Sequence, residues 1–290
     1  MFSVQCSVGP SLTPRRLNTD YFPAVPRPPL IELADAEPIP ILFEDRAVIA
    51  IDKPAGWMLV PHSWQRTGWN LQAAINSSIN AGHYWARSRN LKFLRYIHRL
   101  DADTSGVLLF GKSFGAVETY GELFETRQME KRYLAIVHGQ PRATEWTCRL
   151  PLSSDPQAIG RVRVDERGGK ECETFFRTLR TKGKYSLVEA HPHTGRQHQL
   201  RVHLNAAGHG ILGDPLYGPS SEEVAYTRPP LALRSMELAY RDPFTKRPVR
   251  ILAPTEEWLK QYGWAETAEK VPAEKIAVVP ARPKQGKSPR

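Results

Sequence analysis

The sequence predicts a domain of mixed class, in which a strand-rich middle is accompanied by three helices. Short apolar runs bounded by Pro, Gly or Asp predict strands at residues 47–51, 107–110 and 231–238. Apolar residues at a helical spacing predict helices over residues 69–82, 113–127 and 195–207. With 290 residues and 41% hydrophobic content, the chain can bury a substantial core.

Both ends of the chain lack this periodicity. Residues 1–40 contain eight prolines and predict an extended arm, either laid over the domain or loose, so the folded domain is expected to begin at residue 41. From residue 265 the chain turns to Lys, Pro and Ala, which predicts a disordered basic tail over 265–290. The expected domain therefore covers residues 41–264.

Further strands are expected between the second and third helices. In residues 130–139, alternation places Tyr133 on one strand face and Arg132 on the other. Residues 171–179 and 184–190 predict an antiparallel pair that turns at Gly183.

Charge and cysteine usage limit the class of protein. The chain carries 40 Lys and Arg against 30 Asp and Glu, a formal charge of +10, which favours a polyanionic partner; a solvated basic surface is the alternative. Three separated cysteines without a C-x-x-C pair argue against a disulfide framework or a cysteine zinc site and favour a reducing compartment. No apolar run approaches the roughly 20 residues of a membrane span. We therefore expect a cytoplasmic protein, and we expect it to be a monomer. Arg15 and Arg16, with no acidic residue before Asp20, also permit an organellar transit segment.

Residues 97–106 present a carboxylate beside an arginine, immediately before a buried strand. Asp101 follows His98, Arg99 and Leu100 and precedes a Thr-Ser-Gly turn. Asp101 and Asp103 could be simple turn formers, whose oxygens accept local backbone N–H bonds. They could equally be functional carboxylates held next to rigid scaffold.

Several segments resemble, in order, the motifs of the RluA-type family of RNA pseudouridine synthases. Besides His-Arg-Leu-Asp at residues 98–101, they are Lys-Pro-Ala-Gly at 53–56, Lys-Arg-Tyr-Leu-Ala at 131–135, Thr-Gly-Arg-Gln-His-Gln-Leu-Arg-Val-His at 194–203 and Gly-His-Gly-Ile-Leu-Gly-Asp-Pro-Leu-Tyr-Gly at 208–218. Gly210 stands where the family usually has proline. The resemblance covers residues 41–255.

The resemblance implies an α+β fold with a mixed, mostly antiparallel sheet, flanking helices and a central active-site cleft. It also implies an isomerase that converts uridine to pseudouridine in structured RNA, which is ribosomal RNA, transfer RNA or both, without a metal or organic cofactor. A uridine in an RNA stack must be flipped out to reach such a cleft.

The family motifs suggest three catalytic residues. Asp101 is the implied essential carboxylate, acting as a nucleophile or as a base toward the sugar. Arg196 is its implied counter-ion: in a helix beginning near residue 195 it would occupy the first turn, where the dipole disfavours a cation unless a carboxylate lies nearby. Tyr133 is expected against the uracil, where it helps remove the C5 proton. A core tyrosine with a bonded hydroxyl is the alternative for Tyr133.

Four other residues are expected to contact substrate. Arg99 is suited to fill the space vacated by the flipped base, and Leu200 to form an apolar wall beside it. His98 and Arg201, in the same two motifs, complete the expected set.

Two other functions compete with this interpretation. One is a catalytically inactive RNA-binding or ribosome-assembly protein on the same fold; the presence of Asp101 and Tyr133 argues against it. The other is a metal-dependent hydrolase using histidines, which are His191, His193, His198 and His203. The last two are five residues apart, so they point to different helix faces.

Aromatic residues near the first turn allow two interpretations. Trp57, His62, Trp64 and Trp69 cluster beside Arg66. They could stack on unpaired bases or pack on the domain surface.

Overall fold

A long mixed sheet organises the protein, as shown by a computed structural model that describes residues 27–34, 36–59, 69–218 and 229–264. The strands in these ranges are β1 (Leu30–Ile31), β2 (Ile39–Glu44), β3 (Val48–Lys53), β4 (Arg95–Tyr96), β5 (Ser105–Gly111), β6 (Glu130–His138), β7 (Glu145–Cys148), β8 (Leu152–Ser154), β9 (Val162–Val164), β10 (Thr174–Lys182), β11 (Tyr185–Pro192), β12 (Leu233–Arg241) and β13 (Pro248–Leu252). The helices are α1 (Leu71–Asn80), α2 (Tyr84–Arg87), α3 (Phe114–Glu125), α4 (Gln199–Ala206) and α5 (Glu256–Gln261).

The sheet consists of two antiparallel halves joined by one parallel pair. Its order is β1-β2-β3-β5-β12-β6-β11-β10-β7, with β4 beside β5 and β13 beside β12, while β8 and β9 form a separate hairpin. The parallel pair is β5 with β12. Gly106 permits this junction, because its φ is +109° and an added Cβ would lie 2.0 Å from the Ser235 carbonyl oxygen. The predicted α+β class with a mostly antiparallel sheet is confirmed.

Alternate side chains of β5 belong to two different hydrophobic clusters. Leu108 and Phe110 belong to the larger cluster, which also contains residues of α1 and α4. Val107 and Leu109 belong to a second cluster with residues of α3. The continuous apolar run of this strand is therefore explained by burial on both faces.

Two of the three predicted helices are confirmed, and the third begins later than predicted. The Asn70 side chain caps α1 by accepting from the Ala73 amide at 3.0 Å, and Ser113 caps α3 through the Ala116 amide at 3.1 Å. The third helix, α4, begins at Gln199 instead of residue 195. His198 precedes it in the left-handed conformation, with φ of 53°.

The expected Pro-rich arm is partly built into the domain. β1 and β2 join the sheet, and both Ile31 and Ile39 are buried in the larger cluster. The boundary predicted at residue 41 is therefore wrong, because these short strands bury too few residues to show a hydrophobic period. Residues 1–26 and the predicted tail at 265–290 lie outside the described residues.

The aromatic segment after β3 is described in part. Trp57 is buried and meets the exposed Trp69 edge to face, with ring centroids 5.0 Å apart. His62, Trp64 and Arg66 lie outside the described ranges.

Among the helices of the described segments, none has both the length and the apolar character required to cross a bilayer.

Candidate active site

Asp101 lies on the turn that leads into β5, close to the junction of the two sheet halves. The turn is anchored by Lys53, whose fully buried Nζ donates to the carbonyl oxygens of Pro54 at 2.9 Å, Ala102 at 2.7 Å and Thr104 at 2.9 Å. The Asp101 side chain remains 26% exposed. The carboxylate is thus held on rigid scaffold while one side stays open to a ligand.

The charge of Lys53 is directed toward backbone carbonyls and not toward the Asp101 carboxylate. Burial lowers the pKa of Lys53 to about 7, while the negative charges of Asp103 and Asp101 oppose this drop. Its role in the site is to fix the backbone of the turn.

Arg201 of α4 is the cation that faces Asp101. Its Nη1 lies 3.5 Å from Asp101 Oδ2, while Nε and Nη2 donate to the two oxygens of Asp214 at 2.8 and 2.6 Å. Asp214 Oδ1 also accepts the backbone N–H groups of Leu216 and Tyr217. Asp214 therefore orients the guanidinium and leaves one of its edges for Asp101.

The two groups of this buried pair stabilise each other's charged form. Burial favours a lower pKa for Arg201, but the Asp214 carboxylate outweighs it and raises the pKa. Burial likewise opposes ionisation of Asp214, whose pKa is nevertheless lowered by the hydrogen bond from Arg201. Both groups are charged at neutral pH.

His198 also approaches Asp101 and connects it to Tyr217. His198 Nε2 lies 3.9 Å from Asp101 Oδ2, and Nδ1 lies 2.8 Å from the Tyr217 hydroxyl oxygen. That hydroxyl accepts the Val162 N–H at 2.8 Å, so its own proton can be donated to Nδ1. This arrangement favours the tautomer with a proton on Nε2, the nitrogen that faces Asp101.

Tyr133 is buried on β6, the strand that pairs with β12 on the side opposite β5. Burial raises the pKa of Tyr133 to about 12; the Asp101 charge adds to the rise and a hydrogen bond with Ser235 opposes it. The phenol is therefore protonated at neutral pH. Leu200 is buried in the same hydrophobic cluster as Tyr133. The structure thus brings Arg201 to Asp101 and places Tyr133 near enough for its pKa to respond to the Asp101 charge, while Leu200 lies buried on α4, one residue before Arg201.

The prediction that Arg196 pairs with Asp101 is wrong. Arg196 is exposed, and its Nε donates to the carbonyl oxygen of Glu171 at 3.3 Å. Because α4 begins at Gln199, Arg196 lies in the preceding loop, and Arg201 takes the position expected for the counter-ion.

His98 and Arg99 differ in where they lie. The His98 ring stacks on Phe124 with centroids 4.4 Å apart, and its Nε2 accepts the Leu109 N–H at 3.2 Å. Burial lowers the pKa of His98 to about 3, so the ring is neutral. His98 is half-buried and bonds within the fold through Nε2, and its contact with substrate stays a prediction. Arg99 is exposed beside Asp101, as a substrate contact would need to be.

Several residues of the site received no role from the sequence. Asp214 and Tyr217 belong to the last motif, and Lys53 to the first, so the motifs marked them without indicating their partners. His198 was considered only as a metal ligand.

The histidines of the hydrolase hypothesis have other partners. His203 uses both ring nitrogens, toward the Thr174 hydroxyl and the Leu150 carbonyl, each at 3.0 Å. His191 lies 3.2 Å from Glu189. Within the part of the chain that the structure describes, no three potential metal ligands lie together.

Comparison with known proteins identifies the class. The family model for RNA pseudouridylate synthase matches residues 47–206, more than half of the chain. In fold, the protein resembles human RNA pseudouridylate synthase domain containing 1, with a TM-score of 0.60 and 24% identity over 77% of this chain and 86% of that one. The chain therefore belongs to the RNA pseudouridylate synthase family.

Individual relatives match over different shares of their length. Pseudouridylate synthase RPUSD2 of Homo sapiens is 39% identical over 196 residues, which are 66% of this chain and 34% of the relative. Ribosomal large subunit pseudouridine synthase C of Escherichia coli (strain K12) is 34% identical over 228 residues, 76% of this chain and 68% of the relative. The chain thus spans about a third of the length of the human relative.

Proposed function

We propose that this protein is an RNA pseudouridine synthase, which isomerises uridine to pseudouridine with Asp101 as the essential carboxylate. The observation that carries the proposal is a carboxylate held open to solvent at the sheet junction, 3.5 Å from a buried arginine and next to a buried tyrosine, in a chain of this family.

The reaction exchanges one bond for another within the nucleotide. The bond from ribose C1′ to uracil N1 breaks, the base turns, and C1′ bonds to C5. The proton leaves C5 and N1 gains one, so no atom is gained or lost overall. The Asp101 carboxylate serves either as nucleophile toward the sugar or as base, and the Arg201 guanidinium faces it at 3.5 Å.

Tyr133 and Leu200 form the part of the cleft that faces the base. Because the pKa of Tyr133 is raised to about 12, the resting phenol acts as a hydrogen-bond donor. The Tyr133 hydroxyl can relay the C5 proton through water. It releases its own proton only when it accepts another proton in the same step. The buried Leu200 side chain excludes water beside the uracil.

The RNA is recognised largely through charge in this proposal. The formal charge of +10 supports contacts with phosphates, and the exposed Arg99 is available to occupy the space left by a flipped uridine. The bacterial relative named for the large ribosomal subunit supports ribosomal RNA over transfer RNA as the substrate.

Pseudouridine mapping of total RNA tests the function. RNA from cells with and without the gene is compared, and the deletion is complemented with wild type or Asp101→Asn. We expect one or a few ribosomal uridines to lose the modification and only wild type to restore it, because asparagine keeps the shape and loses the charge.

The same experiment separates the enzyme from the inactive RNA-binding protein. Purified Asp101→Asn should retain RNA affinity, which shows that loss of turnover is chemical. Full turnover by this variant would refute the mechanism, and an unchanged map in the deletion strain would favour the binding protein.

A further inference from the structure

Lys131 of β6 is half-buried and has no carboxylate partner among the described residues. It lies two residues before Tyr133 in β6, so both side chains project from the same strand face. Its Nζ donates to the Thr194 carbonyl oxygen at 3.2 Å. A single neutral acceptor leaves most of the hydrogen-bonding capacity of an ammonium group unused.

The surroundings of Lys131 are positively charged. Burial and the nearby Arg127 charge together lower the pKa of Lys131 to about 8. The Arg127 charge also contributes to lowering the pKa of Glu173, but the Glu173 carboxylate already accepts a hydrogen bond from Arg149 Nε at 2.8 Å. Taking a cation partly out of water beside another cation is costly, and an anion from outside the chain would offset that cost.

Gly195 keeps open the approach to this ammonium group. A Cβ built on Gly195 would lie 3.7 Å from Lys131 Nζ, with no other atom within 4 Å apart from those of the two adjacent residues. Gly195 is itself exposed. The space over this glycine, between the ammonium group and solvent, is therefore not filled by a side chain of Gly195 itself.

We propose that Lys131 binds a phosphate of the RNA backbone next to the nucleotide whose base lies at Tyr133. This inference rests on the proposed function, since it assumes that RNA occupies the cleft. A compact ammonium with spare donors suits a phosphate oxygen as a point charge. Lys131 is thereby a substrate-binding residue. Its contact fixes the position of the RNA backbone while Asp101 acts on the sugar.

The salt dependence of RNA affinity tests this contact directly. Binding of a 5′-labelled, uridine-containing RNA stem-loop is measured over a series of salt concentrations for wild type, Lys131→Met and Lys131→Arg. Each lost phosphate contact reduces the slope of log affinity against log salt by about 0.7 to 0.9. We expect this reduction in Lys131→Met and no reduction in Lys131→Arg, which keeps the charge.

Lys246→Met is the matched control. Lys246 Nζ also donates to one carbonyl, that of Pro243 at 2.8 Å, but it is exposed on the turn between β12 and β13. Its removal should leave the slope unchanged. If Lys131→Met does not fold, Lys131→Gln replaces it in the same titration.

The outcomes separate the two proposals. An unchanged slope in Lys131→Met overturns the phosphate contact, as does an equal loss in Lys131→Arg, which would assign the effect to the Thr194 contact. A reduced slope specific to Lys131→Met, with no pseudouridine formed by wild type, supports the RNA contact and refutes the proposed activity.

Discussion

Replacing Asp214 by asparagine isolates the contact that aims Arg201 at Asp101. Asp214 Oδ1 accepts Arg201 Nη2 and two backbone N–H groups, whereas Oδ2 accepts only Arg201 Nε at 2.8 Å. An asparagine that keeps its oxygen at the Oδ1 position must turn its amide group toward Nε, donor against donor. The variant therefore leaves a buried guanidinium without its charge partner.

Asp214→Asn is expected to lower the free energy of unfolding by a large amount, although it replaces a single oxygen with an amide nitrogen. Breaking a buried ion pair by removing one partner costs about 3–5 kcal/mol in the free energy of unfolding. Asp101 cannot replace Asp214, because it is 3.5 Å from Nη1 and partly exposed. Urea unfolding followed by circular dichroism measures the difference, and turnover should fall with it because Arg201 is no longer fixed.

Asp155→Asn is the control for this substitution. Asp155 Oδ1 accepts a hydrogen bond from the exposed backbone N–H of Gln157 at 3.0 Å, and an asparagine side chain can keep this bond. We expect a change of about 0.5 kcal/mol or less. A loss in Asp214→Asn as small as in this control would refute the assignment of the pair.

The same pair predicts how stability depends on pH. The folded pKa of Asp214 is below its ordinary value of 3.8, so its contribution is fully present above that value and is lost as pH falls through the folded pKa. Acid unfolding curves of wild type should therefore be steeper than those of Asp214→Asn. Parallel curves would contradict the lowered pKa.

Three further substitutions test separate parts of the site. Arg201→Ala should lower turnover by about 100-fold or more, since it removes the charge facing Asp101, while Arg196→Ala should have a much smaller effect; equal losses would restore Arg196 to the site. Tyr133→Phe should lower turnover by about 100-fold or more, yet change the free energy of unfolding by only about 1 kcal/mol, and full activity would exclude the hydroxyl from the chemistry. Lys53→Met should lower the free energy of unfolding measured in urea by about 3 kcal/mol, because the carbonyl groups of Pro54, Ala102 and Thr104 lose the Lys53 donor and, of these, Ala102 also accepts the Gly56 N–H; a stable, active variant would show that the turn holds without Lys53.

Local patterns predicted the elements that depend on neighbouring residues. Asn70 and Ser113 mark the starts of α1 and α3, because a cap is made with an amide three residues away. The apolar run of β5 likewise predicts a buried strand directly after Asp101. The position of Asp101 on a turn before this strand therefore follows from the sequence.

The start of α4 depends on contacts distant in the chain. The Gln199 side chain binds Thr194 and Thr174, the latter 25 residues away, and this fixes the loop before the helix. Apolar spacing contains no information about such contacts, so it extended the helix to residue 195. The family resemblance, placed on that helix, then assigned Arg196 instead of Arg201 as the counter-ion.

The sequence by itself determined the family, the sheet-rich class and the positions of Asp101 and Tyr133, because each is set by a short motif or a local pattern. Only the tertiary structure decided that Arg201 faces Asp101 and that Asp214 orients it. Charged side chains that are distant in sequence pair according to how the backbone brings them together, and spacing along the chain does not encode that geometry.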